Sequence, residues 1–252
     1  MNKTKDLLIT SFALFSLFFG AGNLLLPPLL GYNAGQNWFW VTLGFVITAV
    51  AIPIIGIYAH AKLQGTLYDF GKKVSPVFSF IYCILIYLIA VAIPSPRTAA
   101  ATHEIAIHPN FGTSPLLTSS VYFILVLIFA LNRSKILNII GKYLIILLLV
   151  IGIGLYSTQM ITNPTQMDTP IVDGILEGYQ TFDAIAAVVV GAVIIISINL
   201  KTDATFEAKK DLIKKSGLIA GFGLFIIYAG LIAVGASYGG EIDINSSLNS
   251  DM

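Results

Sequence analysis

Only 11% of the 252 residues are charged while 56% are hydrophobic, and the mean hydropathy is +0.86. Soluble domains carry about 25% charged residues, so the composition excludes a soluble globular protein and describes an integral membrane protein. A net charge of +1 offers no field for nucleic acid, and the single Cys83 excludes disulfide and cysteine-based metal frameworks.

The amino end imitates a signal peptide, with Lys3 and Lys5 ahead of an apolar core. The apolar pattern resumes at Leu24–Leu26, so the segment reads as an anchor helix retained in the protein. Seven stretches reach the spanning length of about 20 residues: roughly 7–31, 38–61, 76–98, 115–132, 136–158, 172–199 and 216–238. Trp38 and Trp40, after the polar turn 32–37, suit the interfacial aromatic belt. With these spans every lysine and arginine except Arg97 falls on one side, which the positive-inside rule makes cytoplasmic. The amino end is then inside and the tail after Tyr238 outside. Residues 200–215 are the most charged loop and predict a short surface helix, with Glu207 and Asp211 pairing lysines at helical spacing.

Two of the spans are interrupted. In the first, Gly20-Ala21-Gly22-Asn23 and Pro27-Pro28 break the run from Leu7 to Leu30. Gly costs a helix about 1 kcal/mol and Pro about 3, and in lipid a freed backbone group finds no water. Such a break predicts a discontinuous helix whose ends hold a substrate or an ion. The alternative is a tight glycine-mediated helix crossing. In the sixth span the polar cluster from Glu177 to Ala184 precedes a very apolar run, Ile185 to Ile198. Measured from the cytoplasmic end, Gly20 lies about 22 Å up and Asp183 about 25 Å up. Two breaks at similar depth in oppositely directed spans predict an inverted repeat of five helices, with residues 1–160 as the first repeat and 161–252 as a partial second.

The run Phe18-Phe19-Gly20-Ala21-Gly22-Asn23-Leu24 with Pro27-Pro28, the run Ile93 to Ala99, and the run Glu177 to Ala187 together resemble the branched-chain amino acid:cation symporters, the LIVCS family. The resemblance implies an all-α, LeuT-like bundle of the amino acid–polyamine–organocation (APC) superfamily with discontinuous first and sixth helices. It also implies uptake of leucine, isoleucine or valine by Na+ or H+ symport across a bacterial plasma membrane, with no cofactor. Members of the family carry further helices after the seventh. One of them, the eighth, helps to hold sodium in LeuT-like carriers, so the resemblance implies a fragment or a truncated gene. Self-association or a complementing fragment is then expected.

On this reading Ala21, Gly22, Asn23, Gly178, Tyr179, Gln180 and Thr181 bind substrate, and Gly20 and Asp183 serve the coupling cation. The two glycines, Gly22 and Gly178, are expected to let backbone approach the ligand. Asp183 is the one acid deep in an apolar run, where it binds a cation, carries a proton or caps the inner half-helix. Arg97 either pairs with Glu104 as an outer gate or snorkels to headgroups. His60, His103 and His108 fall at span ends or in loops and read as interfacial. Gly235-Ala236-Ser237-Tyr238-Gly239 matches a hydrolase nucleophile elbow, but no strand precedes it, so chance explains it and no enzyme is expected. The rival functions are a seven-helix receptor and a channel component. Against a receptor stands the inside amino end. Against a retinal pump stands the absence of a lysine between Ser216 and Tyr238.

Overall fold

The computed structural model describes residues 3–131, 167–201 and 204–238, and these are helical without any strand. In chain order the helices are α1 (Lys3–Phe18), α2 (Ala21–Ala34), α3 (Trp38–Val46), α4 (Ile52–Leu63), α5 (Leu67–Lys72), α6 (Pro76–Ala92), α7 (Pro94–Thr102), α8 (His108–Phe111) and α9 (Pro115–Leu131). After the undescribed stretch come α10 (Pro170–Tyr179), α11 (Asp183–Lys201) and α12 (Phe206–Tyr238). A π-helical turn, Ile47–Ala51, joins α3 to α4. The predicted span 136–158, the residues Arg133, Lys135 and Lys142, and the tail after Tyr238 lie outside the described residues.

The first interruption is a gap between helices. The chain leaves α1 at Phe18, takes an extended conformation at Gly20 and starts α2 at Ala21 with no side-chain cap. Pro27 and Pro28 sit inside α2. Having no N–H, they leave the carbonyls of Asn23 and Leu24 without their usual helical donors. At the second interruption α10 and α11 meet at a bend of 42°. Phe182, in the left-handed region at φ 61°, makes that bend. Few bulky residues occupy the region, and here the turn delivers Asp183 to the first position of α11.

By length and composition Gly22–Leu63 is one apolar helical run of 42 residues, yet its packing divides it into two legs. Ser216 Oγ reaches the Leu7 carbonyl at 3.4 Å, Gly223 faces the Phe15 ring, Asn23 bonds Tyr228, and Gly235 lies on Pro28. Thus α1–α2 run alongside α12 in the same direction. Past Gly35, at φ 49°, the order reverses: Ile57 faces Gly217 and Ile54 faces Gly221. The second leg, α3–α4, in turn runs parallel to α10–α11, with Gly44 on Ile171, Thr48 on Ile175, Gly56 on Ala187 and His60 on Gly191. The two interrupted elements are therefore antiparallel to each other.

Glycines set how closely these legs approach. A Cβ on Gly31 or Gly235 would collide with the Ile232 or Pro28 carbonyl, and one on Gly44 or Gly174 with the Ile171 or Val41 carbonyl. Backbone lies directly on backbone at both crossings, the arrangement that small residues permit between apolar helices. The core between the legs contains Leu14, Phe15, Phe18, Phe45, Leu224 and Ile227. By contrast Phe80, Leu88 and Val91 of α6 and Leu116, Ile124 and Leu127 of α9 are exposed. Apolar helices with apolar outer faces are what a lipid-embedded protein shows.

One expectation needs correction. Residues 206–215 are not a separate surface helix but the first turns of α12, a continuous helix of 33 residues. The expected pairs are present on it, with Lys210 Nζ 3.0 Å from Glu207 and Lys215 Nζ 2.6 Å from Asp211. Lysine and acid alternate at i+3 and i+4 spacing, so the charged turns extend the helix instead of ending it.

Candidate functional site

The two interruptions meet. Asn23, in the first turn of α2, donates from Nδ2 to Asp183 Oδ2 at 2.6 Å and to the Tyr228 hydroxyl. Tyr228, in the second half of α12, donates to the same Asp183 oxygen at 3.4 Å. All three side chains are buried, at 2%, 3% and 0% exposure. Three polar groups from three helices thus satisfy one another inside an apolar core. No described lysine or arginine forms an ion pair with Asp183. Burying a carboxylate without such a partner is costly, and ionisable residues held within a membrane usually serve function.

Locally, each residue is placed by the break beside it. Thr181 Oγ1 donates to the Gly178 carbonyl at 2.8 Å and accepts from the Asp183 N–H at 3.3 Å, which covers part of the α11 amino end. The Asp183 side chain is thereby left to face Asn23 and Tyr228. Phe45 and Phe19 hold the Tyr228 ring, with centroids at 5.3 and 6.3 Å.

A cavity of about 260 Å³ opens beside this cluster. Gly20, Gly22 and Asn23 line it from one break, and Gln180, Thr181 and Asp183 from the other. Apolar walls come from Phe18, Leu26, Ile89 and Phe182. That is a mostly apolar chamber with polar groups gathered where both helices are interrupted, the common form of a small-molecule site.

The expected residues divide on inspection. Ala21 opens α2. Gly22 has nothing within 4 Å of where a Cβ would stand, so it faces open space. Gly178 does not line the cavity; its missing side chain is taken up by Thr48 Oγ1 and the Phe45 carbonyl. Tyr179 points elsewhere and is 54% exposed. Arg97 forms no ion pair with Glu104 among the described residues; its Nη1 donates to the Gln180 carbonyl at 3.2 Å, and it lines the cavity. His103 Nδ1 lies 2.9 Å from Thr118 Oγ1, away from the cavity. No group of three His, Cys, Asp or Glu among the described residues could hold a metal. Tyr228 was not anticipated. A tyrosine in an apolar span reads as core, and its partner Asn23 is 205 positions away.

The comparisons with known proteins agree on kinship. The family model described as branched-chain amino acid transport protein matches residues 3–249. The chain is 34% identical over 247 residues to the branched-chain amino acid permease BraB of Bacillus subtilis (strain 168), covering 92% of this chain and 56% of that one. It is 33% identical over 246 residues to the permease BrnQ of Corynebacterium glutamicum, covering 94% and 57%. The permease BrnQ of Escherichia coli (strain K12) is 29% identical over 255 residues, covering 96% and 58%. The chain therefore spans somewhat more than half the length of these relatives. No solved structure matches. With the matched segment running across nearly the whole chain, the protein belongs to the branched-chain amino acid transport protein family.

Proposed function

We propose that the protein is a secondary active transporter that takes up leucine, isoleucine or valine together with Na+ or H+. The observation that carries this is the 2.6 Å bond from Asn23 to Asp183, which joins two antiparallel interrupted helices at the wall of one cavity. A carrier needs a site both sides can reach in turn, and interrupted helices supply its polar groups without side-chain charges. The printed names of the relatives supply the substrate class.

In this reading the amino end of α2 receives the substrate carboxylate. Its first N–H groups, at Ala21, Gly22 and Asn23, carry no side-chain cap, and the helix dipole favours an anion there. The apolar walls accommodate the branched side chain. Asp183 and the backbone around Gly20 serve the coupling cation, assisted by the carbonyls that Pro27 and Pro28 free. Gln180 and Thr181 complete the site from the other break, with Arg97 fixing the Gln180 carbonyl. Gly178 acts through packing.

The arrangement also supports a LeuT-like inverted repeat. The first interrupted element lies along α12 and the second along α3–α4, each parallel to its partner. Exchanging the two halves of the chain maps one pair onto the other. The lysines at α4's end and α12's start, Lys62 and Lys209 to Lys215, favour the cytoplasmic side for both by the positive-inside rule. Reporter fusions after Lys73 are expected to read cytoplasmic and fusions after Asn110 external; a cytoplasmic signal after Asn110 would overturn this orientation.

Transport itself is tested with radiolabelled leucine in proteoliposomes, under an inward Na+ gradient, an inward H+ gradient, or neither. With a complementing fragment or a second copy of the chain present, uptake that one gradient drives, and that unlabelled valine suppresses more than alanine, is expected. Uptake indifferent to both gradients would exclude symport.

A further inference from the structure

A second groove, of about 260 Å³, lies on the outside of the bundle between α4 and α12. Ile54, Ile55, Tyr58 and Leu218 line it, with Gly217 at its floor. Ile55 and Leu218 are 66% and 57% exposed, so this is a face turned to the surroundings and not to the core. The floor is not dictated by the helix crossing. A Cβ on Gly217 would stand 3.5 Å from Ile57 Cγ2, an ordinary contact, whereas the crossings at Gly31 and Gly44 exclude one.

At one end of the groove two ammonium groups converge on a single ring. Lys62 Nζ stands 4.8 Å from the Tyr58 centroid and Lys214 Nζ 5.8 Å from it. The ring face attracts each of them, but the two like charges repel each other. Neither forms an ion pair with a described carboxylate. The acids closest in sequence on α12 are already engaged, Glu207 by Lys210 and Asp211 by Lys215. The Gln64 side chain, which donates to the Phe206 carbonyl at 2.7 Å, pins the two helix ends together at this place.

An apolar slot that ends under two cations, neither of them in an ion pair among the described residues, has the division of a charged amphiphile. From Lys62 to Ile54 is about 12 Å along α4, room for a phosphate head and the upper part of a hydrocarbon chain. We propose that this groove is a binding site for an anionic phospholipid, its phosphate bridging Lys62 and Lys214 and an acyl chain lying against Ile55, Gly217 and Leu218. Basic pockets between membrane helices commonly hold such headgroups. The lipid would clip α4 to α12 on the side of the bundle away from the central cavity.

Native mass spectrometry of the 252-residue chain, released from nanodiscs of phosphatidylcholine mixed with phosphatidylglycerol, tests this. Phosphatidylglycerol is expected to be retained in preference to phosphatidylcholine. The double variant Lys62→Gln/Lys214→Gln should lower that retention about thirtyfold, at roughly fivefold per lysine. Gly217→Ala, which the backbone accepts, should narrow the groove and lower it about fourfold. Lys72→Gln/Lys73→Gln serves as the control for diffuse surface charge and should change nothing. Undiminished retention in the first double variant overturns the site. So does an equal loss in the control, or indifference to Gly217→Ala, since a headgroup or free phosphate held by charge alone needs no groove.

Discussion

Replacing Asp183 with asparagine should stop ion-driven accumulation of leucine while leaving the bundle folded. The amide keeps an oxygen for the Asn23 and Tyr228 donors, so the buried cluster stays satisfied. What disappears is the one acidic charge inside it. Hydrogen bonds and contacts to a charged group are worth about 1.5–3 kcal/mol, so accumulation is expected to fall by roughly 10- to 150-fold. Exchange of labelled for unlabelled leucine needs no net movement of a cation and should survive far better. Asp183→Leu behaves differently, because Asn23 and Tyr228 then lose their acceptor in the core at about 1–3 kcal/mol for each unsatisfied group. That variant should be poorly folded as well as inactive. Accumulation at the parent rate by Asp183→Asn would remove the carboxylate from the coupling role.

The second large effect separates two glycines that look equivalent in the sequence. Gly22→Leu projects into the cavity, where nothing stands within 4 Å, and should leave insertion and melting temperature unchanged. Leucine binding should drop by about 10- to 200-fold, the scale set by adding bulk to an apolar pocket. Gly178→Leu instead drives a side chain into Thr48 Oγ1 and the Phe45 backbone. It also disturbs the 2.9 Å bond from Thr48 to the Ile175 carbonyl that ties α10 to the turn after α3. Overpacking of this kind costs about 1–3 kcal/mol, which corresponds to a melting temperature lower by about 2 to 12 °C. Thermal melts and equilibrium binding on both variants distinguish the two roles. A Gly178→Leu protein with parental stability and no binding would return that glycine to the site.

Much of this was legible in the residues. Both interruptions announce themselves, because Gly20–Asn23 and Glu177–Asp183 put polar and flexible residues inside runs that otherwise satisfy the bilayer. The single deep acid, Asp183, is conspicuous for the same reason. Packing partners were not legible. Gly178 and Gly22 have the same chemistry, and only the position of α3 decides that one faces backbone and the other space. Tyr228 carries a hydroxyl at the end of a large apolar ring, so a hydropathy pattern cannot tell it from Phe225. Arg97 was expected near Glu104 or a headgroup, yet it finds a carbonyl freed at the second bend. Helix continuity was misleading too. Charged residues 206–215 suggest a loop helix, and α12 simply continues through them.

The pairing of the interrupted helices has a consequence for how the protein is made. Among the described residues, each packs lengthwise on an element from the other half of the chain: α1–α2 lie along α12, and α10–α11 along α3–α4. Asn23 waits for a residue 205 positions later in the sequence. At a synthesis rate of about 5–20 residues per second, that delay is about 10–40 s. During it, the gap at Gly20 and the carbonyls freed by Pro27 and Pro28 face the bilayer without their final companions. The nascent chain therefore needs the insertion machinery, or water near the interface, to shelter that stretch until α12 arrives. Slowing translation downstream of the first helices should lengthen the exposed interval and raise the fraction cleared by membrane proteases, even though no residue of the finished protein has changed.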